Sequence, residues 1–316
     1  MAVNPYDGAG YGCGIGYGYC GTPAAGSALL LDNLAATYGA WSVARQIRTA
    51  YSGPLIRVRE SGGNTEADIS AASGVLDEAA LASHVGANSG YITKIYNQDS
   101  NGSTLDFAQS TTTIQPIIVE SGTIVKENGK PAAKFVAASA RRMSVPTSTA
   151  LFKFLHDGTA CTISAICKAN NTAALKLLLS TQLSSYATPG STIYSSAAEA
   201  LQILIGNESS SVVQATKSGL LTSQSILSIS IDADNATAAD RESAWNNNTL
   251  LTGDNASTLA ASAANCSGDL MIGARGDGAS PWDGLVQELI IWPTDEAASR
   301  AVWEADMADF YGVVLA

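Results

Sequence analysis

The sequence predicts a mainly β protein, a jelly-roll sandwich with short helices near its N-terminus and one helix at its C-terminus. From residue 114 onward, short runs of apolar and β-branched residues alternate with connections rich in Gly, Asn and Ser, which is typical of sandwiches. Only 14% of the 316 residues are charged, against about 25% in average globular chains. This weakly charged surface favours close contact with other subunits.

The first 27 residues form a separate N-terminal arm. Glycine stands at nearly every second position between Tyr6 and Gly26, so the arm has a high backbone entropy and is not expected to order in isolation. Its interleaved side chains are candidate assembly residues, namely Tyr11, Cys13, Tyr17, Tyr19 and Cys20. Cys13 and Cys20 could pair with each other or with a neighbouring chain. Residues 28–316 are expected to form one sandwich domain, since no interior linker interrupts them.

The beginning of this domain mixes helical and strand patterns. Residues 28–50 read as two short helical pieces interrupted at Gly39, because Trp41, Ala44 and Ile47 recur at a helical spacing. Alternation predicts strands at residues 55–59 and 92–96, with a short helix at residues 75–84 between them.

The remainder of the chain reads as strand and turn. Strands are predicted near 114–120, 132–137, 150–155, 159–168, 174–180, 200–205, 211–216, 225–232, 268–273 and 284–292. The segment from Glu127 to Lys130 carries an Asn-Gly hairpin signal. A helix is predicted from Thr294, its N-cap, to Tyr311, and its stripe of Trp303, Met307 and Phe310 should pack on the sandwich.

Composition argues against several classes of function. The net charge is −11 and the seventeen Lys and Arg residues are dispersed, whereas nucleic-acid binding needs clustered basic residues. No apolar run approaches the roughly 20 residues of a membrane span. The first residues lack the basic and apolar regions of a secretory signal, so synthesis in a cytosol without export is expected.

The five cysteines and two histidines do not suggest a metal or cofactor site. Cys161 and Cys167 lie in one predicted strand, about 20 Å apart at roughly 3.3 Å per residue, which is too far for a disulfide. They are expected to be buried. His84 and His156 are not accompanied by further candidate ligands in a zinc-like spacing.

Four other residues are candidates for ligand binding. Trp245 and Trp282 lie in polar segments, where an indole ring can stack on a sugar or fill a subunit contact. Asp99 and Asn101 alternate with Ser103 like the oxygen ligands of a calcium loop. The loop lacks the Gly and the terminal Glu that an EF-hand needs, so no metal is assigned to it.

Two long segments carry a family resemblance. The stretches from Trp41 to Ile69 and from Ile92 to Gly102 resemble the opening of the α-L-arabinofuranosidase B catalytic domain. They are also similar to concanavalin A-like jelly-roll modules of bacteriophage virion proteins, which are not enzymes. The resemblance returns in Ile272-Gly-Ala-Arg275 and in residues 283–292. Family members usually read Tyr-Asp-Gln-Ser-Gly where this chain has Tyr96-Asn-Gln-Asp-Ser100, so an acid is replaced by Asn97.

The resemblance implies where catalytic carboxylates would lie in an enzyme of this type. A retaining glycosidase uses two carboxyl groups about 5–5.5 Å apart. The nearest matches to the enzyme segments are Glu208, in Ile205-Gly-Asn-Glu-Ser209, and Asp277, in Ala274-Arg-Gly-Asp-Gly278. Asp277 is also explained as a turn residue and Glu208 as a solvated loop charge. The adjacent cysteine pair that the enzymes carry near their site is missing.

The function expected from these features is structural. We expect a virion protein of a tailed bacteriophage, not an enzyme, that decorates the capsid or belongs to the tail or its fibres. Its location would be the virion and its partners other virion proteins and copies of itself, attached through the N-terminal arm. Host surface glycans are a further candidate ligand of the sandwich. Two alternatives stay open, a glycan-binding adhesin module and an arabinofuranosidase-like hydrolase that uses Glu208 and Asp277.

Overall fold

The structure, a computed structural model, describes residues 29–170, 175–196, 200–207, 212–218, 221–254 and 261–316, with only the backbone described for residues 212–215 and 218. The predicted N-terminal arm, with Tyr11, Cys13, Tyr17, Tyr19 and Cys20, lies outside the described residues. Its proposed part in assembly therefore stays a prediction, as does its boundary at residue 27.

The first half of the described chain contains thirteen short strands and one α-helix. They are β1 Gly39–Ser42, β2 Ile56–Glu60, β3 Glu66–Ile69, β4 Ala71–Ala72, β5 Val75–Leu76, α1 Glu78–Val85, β6 Gly90–Ile95, β7 Phe107–Ala108, β8 Ile117–Glu120, β9 Thr123–Ile124, β10 Lys126–Glu127, β11 Lys130–Pro131, β12 Ala133–Phe135 and β13 Met143–Val145.

The second half contains longer strands and the terminal helix. They are β14 Cys161–Ala169, β15 Lys176–Ser180, β16 Gly190–Ser195, β17 Ala200–Gly206, β18 Val212–Ser218, β19 Ser225–Ile231, β20 Glu242–Asn246, β21 Thr249–Leu250, β22 Gly253–Asp254, β23 Leu270–Ile272, β24 Gly284–Trp292 and α2 Arg300–Tyr311. Short 3₁₀ helices cover Leu30–Asp32, Gly102–Leu105, Thr112–Ile114, Ala137–Ser139, Lys153–Leu155, Ala238–Asp240 and Ala297–Ser299.

The strands pair antiparallel in two layers that face each other. One layer runs from β20 through β19 and β14 to β24, which continues to both β1 and β12. The other runs through β18, β17, β16, β15, β23 and β13. Residues of both layers, such as Ile163 and Ile203, belong to one buried core. The predicted mainly β sandwich is therefore confirmed.

The helix α2 covers the outside of one layer. Along β24, Leu289 and Ile291 contribute to the main core, whereas Ile290 and Trp292 contribute to a second apolar cluster that includes Trp303 of α2. Successive strand residues point to opposite faces, so β24 is buried on both sides and all nine of its residues are buried.

The terminal helix is confirmed but begins later than expected. Its first residue is Arg300, and Ala297–Ser299 form a 3₁₀ turn before it. Thr294 is not the N-cap, because its hydroxyl donates to the Glu296 side chain instead. The predicted stripe packs on the sheet: Trp303 and Met307 are fully buried, and Phe310 is partly buried against the same cluster.

The two helical pieces predicted at residues 28–50 are wrong. The structure has a single 3₁₀ turn at Leu30–Asp32 and a strand, β1, whose residues Gly39–Ser42 pair with Ile291–Glu288 of β24. Within β1, Trp41 is buried and its Nε1 donates to the Leu105 carbonyl at 2.8 Å. Pairing with a central strand outweighs the local helical spacing, because it satisfies the backbone and buries the indole together.

The structure differs from the predicted strands at further places. Residues 150–155 form a turn with a 3₁₀ helix at Lys153–Leu155, because Phe152 and Leu155 both point into the core at a spacing of three. The strands β16 and β20 were not predicted from the sequence. The hairpin at Asn128-Gly129 is confirmed, with positive φ angles of 46° and 76° that suit a type I′ turn.

Neither a membrane helix nor a metal-binding group is present in the described part of the chain. No described helix is long and apolar enough to span a bilayer. No cluster of three or more His, Cys, Asp or Glu side chains is placed there to hold a metal ion. Cys161 and Cys167 are free thiols buried in the core, as expected.

Candidate active site

Three connections meet at one edge of the sandwich and place Asp277. They are residues 181–189 between β15 and β16, residues 266–269 before β23, and residues 273–283 between β23 and β24. Backbone hydrogen bonds join them: Gly268 N to Thr181 O at 3.0 Å, Gly276 N to Gln182 O at 3.1 Å, and Asp277 N to Leu183 O at 2.8 Å. We call this group of connections the loop cluster.

Gln182 holds the first of these loops in place. It is fully buried, and its Nε2 donates to the Tyr186 and Thr188 carbonyls at 2.9 and 2.7 Å. Its Oε1 accepts from the Thr192 hydroxyl at 2.7 Å. One amide therefore ties both ends of the loop to β16. A buried amide with its donors and acceptor satisfied makes the loop a defined surface instead of a loose connection.

The end of β17 lies against the same loop. A Cβ at Gly206 would stand 2.3 Å from the Thr188 carbonyl and 2.4 Å from the Tyr186 carbonyl, so the backbone fits there only as glycine. Asn207 and Glu208 follow directly in the sequence. Glu208 itself lies outside the described residues, so its distance from Asp277 is not part of the structure.

Asp277 is a charged, accessible carboxylate on a short turn. Arg275 binds it with both Nε and NH2, at 3.1 and 2.7 Å, and the Ala279 backbone N–H donates to it at 2.9 Å. The hydrogen bond from Arg275 lowers the pKa of Asp277 more than partial burial raises it. The carboxylate is therefore ionised at neutral pH, with its side chain 34% exposed.

An aromatic ring stands beside this ion pair. The Arg275 guanidinium lies 4.8 Å from the ring centroid of Tyr186, whose hydroxyl is 3.3 Å from the Ser280 hydroxyl. Tyr186 stacks at 5.9 Å on Tyr194, which is buried with Leu177 and Leu204. The sequence reasoning missed Tyr186, because a single tyrosine in a Ser- and Pro-containing loop carries no distinguishing pattern.

A buried cysteine and histidine lie next to these loops. His156 Nδ1 is 3.8 Å from Cys266 Sγ, and its Nε2 is 3.1 Å from the Ala264 carbonyl. Burial raises the pKa of Cys266 to about 11 and lowers the pKa of His156. Both side chains are therefore neutral at pH 7, and a thiol in this state is a poor nucleophile. We assign the pair to packing.

Three of the four sequence-based ligand candidates have contacts within the fold. Trp282 is fully buried in the main core and cannot stack on a ligand. Asp99 is buried and binds Thr37 Oγ1 and Arg48 NH2, so its charge is already compensated. Asn101 is exposed, but its amide donates to the Tyr38 carbonyl and to Asp99. The side chains of Asp99 and Asn101 therefore stabilise the segment after β6, and they do not form a ligand site.

The fourth candidate, Trp245, is half-buried on β20. The Arg300 guanidinium lies 4.7 Å from its ring centroid, so this part of the indole is already in contact with a cation.

Asn97, which stands where the resembling family has an acid, has a structural role. Its Oδ1 accepts from Ala40 N at 2.9 Å and its Nδ2 donates to the Gly102 carbonyl at 3.2 Å, which links β1 to the segment after β6.

The comparisons with known proteins relate this fold to glycoside hydrolases. The model of the family described as "Alpha-L-arabinofuranosidase B, catalytic" matches residues 34–127. A solved GH54 α-L-arabinofuranosidase soaked with a cyclic sulfate inhibitor is 17% identical with a TM-score of 0.56, and 86% of this chain covers 63% of that one. An arabinofuranosidase complexed with arabinofuranosyl-α-1,2-xylobiose is 16% identical with a TM-score of 0.55, covering 86% and 62%. A search of the curated proteins finds no match.

These matches correct the structural function expected from the sequence. The resemblance to the arabinofuranosidase B catalytic domain is confirmed over the matched segment, whereas the narrower assignment to a phage module is not shown. The expectations of a bacteriophage virion protein and of a chain without enzyme activity are contradicted. They relied on the missing export signal, the weakly charged surface, the N-terminal arm and the similarity to phage modules, and none of these features describes the chemistry of a site. The chain spans less than two thirds of the length of these solved relatives.

Proposed function

We propose that this chain is a glycoside hydrolase that acts on α-L-arabinofuranosides at the loop cluster. The observation that carries the proposal is Asp277, an accessible carboxylate fixed on a turn beside an aromatic ring, in a fold similar to that of arabinofuranosidases. Carboxylates cleave glycosidic bonds in pairs, one protonating the leaving oxygen and the other attacking the sugar or activating water. Glu208 is the second carboxyl group that the sequence resemblance suggests.

The geometry of the loop cluster supports this assignment. Asp277 N and Gly276 N both bond to the loop that contains Gln182 and Leu183, and Gly206, two residues before Glu208, touches that same loop. Tyr186 offers an aromatic edge and a hydroxyl for a sugar, and the hydroxyls of Thr188 and Ser267 stand 2.8 Å apart next to it. Aromatic rings combined with short polar side chains are the usual lining of a carbohydrate site.

The experiment is hydrolysis of 4-nitrophenyl α-L-arabinofuranoside. The wild type is expected to release nitrophenol, and Asp277→Asn is expected to lower kcat/KM by about 10²–10⁴-fold, the usual contribution of a positioned acid or base. Asp309→Asn, on the exposed face of α2, is the matched control and should keep full activity. Glu208→Gln tests the second carboxyl group in the same assay.

Two results would contradict the proposal. One is a wild type with no turnover of arabinofuranosides, and binding of arabinose oligomers without turnover would then favour the glycan-binding alternative. The other is an Asp277→Asn variant as active as the Asp309→Asn control.

Arg275 is expected to set the pH range of this activity. The folded protein holds the pKa of Asp277 below its ordinary value through Arg275, and Arg275→Gln removes that hydrogen bond and charge. The pKa of Asp277 should rise, so whichever limb of the kcat/KM profile Asp277 controls should move to higher pH. Movement of the basic limb identifies Asp277 as the proton donor, and movement of the acidic limb identifies it as the nucleophile.

The measurement is a pH–rate profile of both proteins, with the unfolding midpoint recorded at each pH so that instability is not read as titration. A profile of Arg275→Gln that superimposes on the wild type, with neither limb displaced, would show that this ion pair does not act on catalysis.

A further inference from the structure

A polar depression lies on the sheet formed by β2 and β6. Its volume is about 480 Å³, and its lining includes Arg59, Tyr91, Thr113, Ser139 and Arg141. Arg59 and Tyr91 are directly opposite each other in the register of β2 and β6, so both side chains leave the sheet on the same face. Arg141 reaches the same place from the connection between β12 and β13.

The two arginines converge on the ring of Tyr91 and on two acceptor groups of Gln115. The guanidinium carbons of Arg59 and Arg141 lie 4.8 and 5.3 Å from the ring centroid of Tyr91. Gln115 accepts from both, through its side-chain Oε1 to Arg59 Nε at 2.9 Å and through its backbone carbonyl to Arg141 NH1. Two positive charges are therefore held close together on a fixed support.

Neither arginine forms a salt bridge with a carboxylate in the described part of the chain. Arg59 donates to neutral acceptors, the Gln115 and Asn64 side-chain oxygens and the Thr112 carbonyl, and the buried Nε of Arg141 has no hydrogen-bond partner. The acid that acts on Arg141 at longer range, Glu120, is itself bound to Lys134 at 2.8 Å. By contrast, ion pairs with carboxylates are formed by Arg45, Arg48, Arg57, Arg275 and Arg300.

This arrangement is costly without an anion. Arg59 is 7% exposed. Burial lowers the pKa of Arg141, the Tyr91 side chain and Glu120 oppose this lowering, and the charge of Arg59 adds a smaller lowering. In a chain of net charge −11, acids are available, yet none is placed to pair with these two guanidinium groups at salt-bridge distance among the described residues. A guanidinium group offers planar, paired N–H donors that match the oxygens of a carboxylate or a sulfate.

We propose that this depression binds the carboxylate or sulfate group of an acidic saccharide, with Arg59 and Arg141 as the anion ligands. The hydroxyls of Thr113 and Ser139 at its rim supply partners for the sugar hydroxyls. The negative net charge of the protein disfavours long polyanions, so a single acidic group on a largely neutral carbohydrate is the ligand that fits. This site consists of other residues than Asp277 and the loop cluster.

The test is titration calorimetry of the full chain with four monosaccharide probes. They are glucuronic acid and galacturonic acid as carboxylates, glucose 6-sulfate as a sulfate, and glucose as the neutral control. At low salt, the wild type is expected to bind at least one acidic probe and to bind glucose at least tenfold more weakly. A response to the uronic acids alone identifies a carboxylate site, and a response to glucose 6-sulfate alone identifies a sulfate site.

Single substitutions of arginines show which residues bind the acidic probe. Arg141→Gln is expected to weaken binding of the acidic probe at least tenfold, whereas Arg57→Gln, on the same strand as Arg59 but already paired with Glu66, should change it less than twofold. Asp309→Asn, which lies outside both sites, should leave binding unchanged. The measurement is of binding and not of hydrolysis, so a failure of this proposal is distinguishable from a failure of the hydrolase proposal. The proposal is overturned if no acidic probe binds the wild type, if glucose binds equally well, or if Arg141→Gln binds like Arg57→Gln.

Discussion

Replacement of Glu288 by alanine is expected to lower the free energy of unfolding by about 3–5 kcal/mol, the usual cost of breaking a buried ion pair from one side. Glu288 is completely buried on β24, and both of its oxygens bind Arg45, at 2.9 and 3.0 Å. Tyr311 of α2 also donates to it at 2.8 Å. The variant would leave the Arg45 guanidinium in a site where its side chain is only 7% exposed, with Asp306 as its remaining carboxylate partner.

The directions of the pKa shifts of Arg45 and Tyr311 agree with a strong interaction of both groups with the Glu288 carboxylate. Burial, the largest single cause, lowers the pKa of Arg45, but the Glu288 carboxylate together with Tyr311 and Asp306 outweighs burial and raises it. Burial and the same carboxylate raise the pKa of Tyr311, so its hydroxyl stays protonated and can donate.

A double variant separates the free-energy cost of leaving Arg45 unpaired from the net contribution of the Arg45–Glu288 ion pair to stability. Arg45→Met with Glu288→Leu removes both charges and fills the space with apolar atoms, so it should recover most of the loss. Urea unfolding of the wild type, the single variant and the double variant gives the three free energies. If the double variant is as unstable as Glu288→Ala, the ion pair itself stabilises the fold and the argument from desolvation is wrong.

Replacement of Trp303 by alanine is expected to cost about 3–5 kcal/mol, because a large buried side chain is removed and the cavity cannot fully collapse. Trp303 is fully buried and stacks on Trp292 with ring centroids 4.7 Å apart. Its neighbours in the second apolar cluster come from several strands and from Leu30 and Leu31. The contact therefore holds α2, β24 and the beginning of the described chain together.

Val302 provides the matched control in the same helix. Its side chain is 60% exposed, so Val302→Ala should change stability by less than about 0.5 kcal/mol. Thermal and urea unfolding of both variants checks the difference. A loss for Trp303→Ala as small as that for Val302→Ala would mean that packing of the indole on β24 does not set the stability of this region.

The terminal helix shows which features a local sequence pattern predicts and which it does not. The spacing of Trp303, Met307 and Phe310 predicts which face is buried, and the structure agrees. The N-cap is Ser299, five residues after the predicted Thr294, because Thr294 finds a side-chain partner in Glu296 and Ser299 precedes the helix without a side-chain cap. Caps depend on hydrogen bonds that compete at close range, and the sequence alone does not rank them.

The sequence suggests Asp277 as a candidate through its resemblance to a glycosidase segment, but it does not suggest Arg275 or Tyr186. The catalytic role of Asp277 stays a prediction. Trp282 is a core residue, and Trp245, like Tyr186, has an arginine over its ring, so the structure does not single out either tryptophan as a sugar platform. An aromatic residue in a polar segment gives no information on burial until the neighbouring strands are placed.

The sequence by itself determined the class of fold, because alternation along a strand, the Asn-Gly turn and the apolar stripe of a helix are local properties. It also carried the resemblance to arabinofuranosidases. Only the tertiary structure decided that residues 39–42 form a strand against β24, that Tyr186 meets Arg275, and that Arg59 and Arg141 share one ring. These contacts join residues from about 30 to about 250 positions apart, and their energies depend on burial and charge that exist only after the layers close.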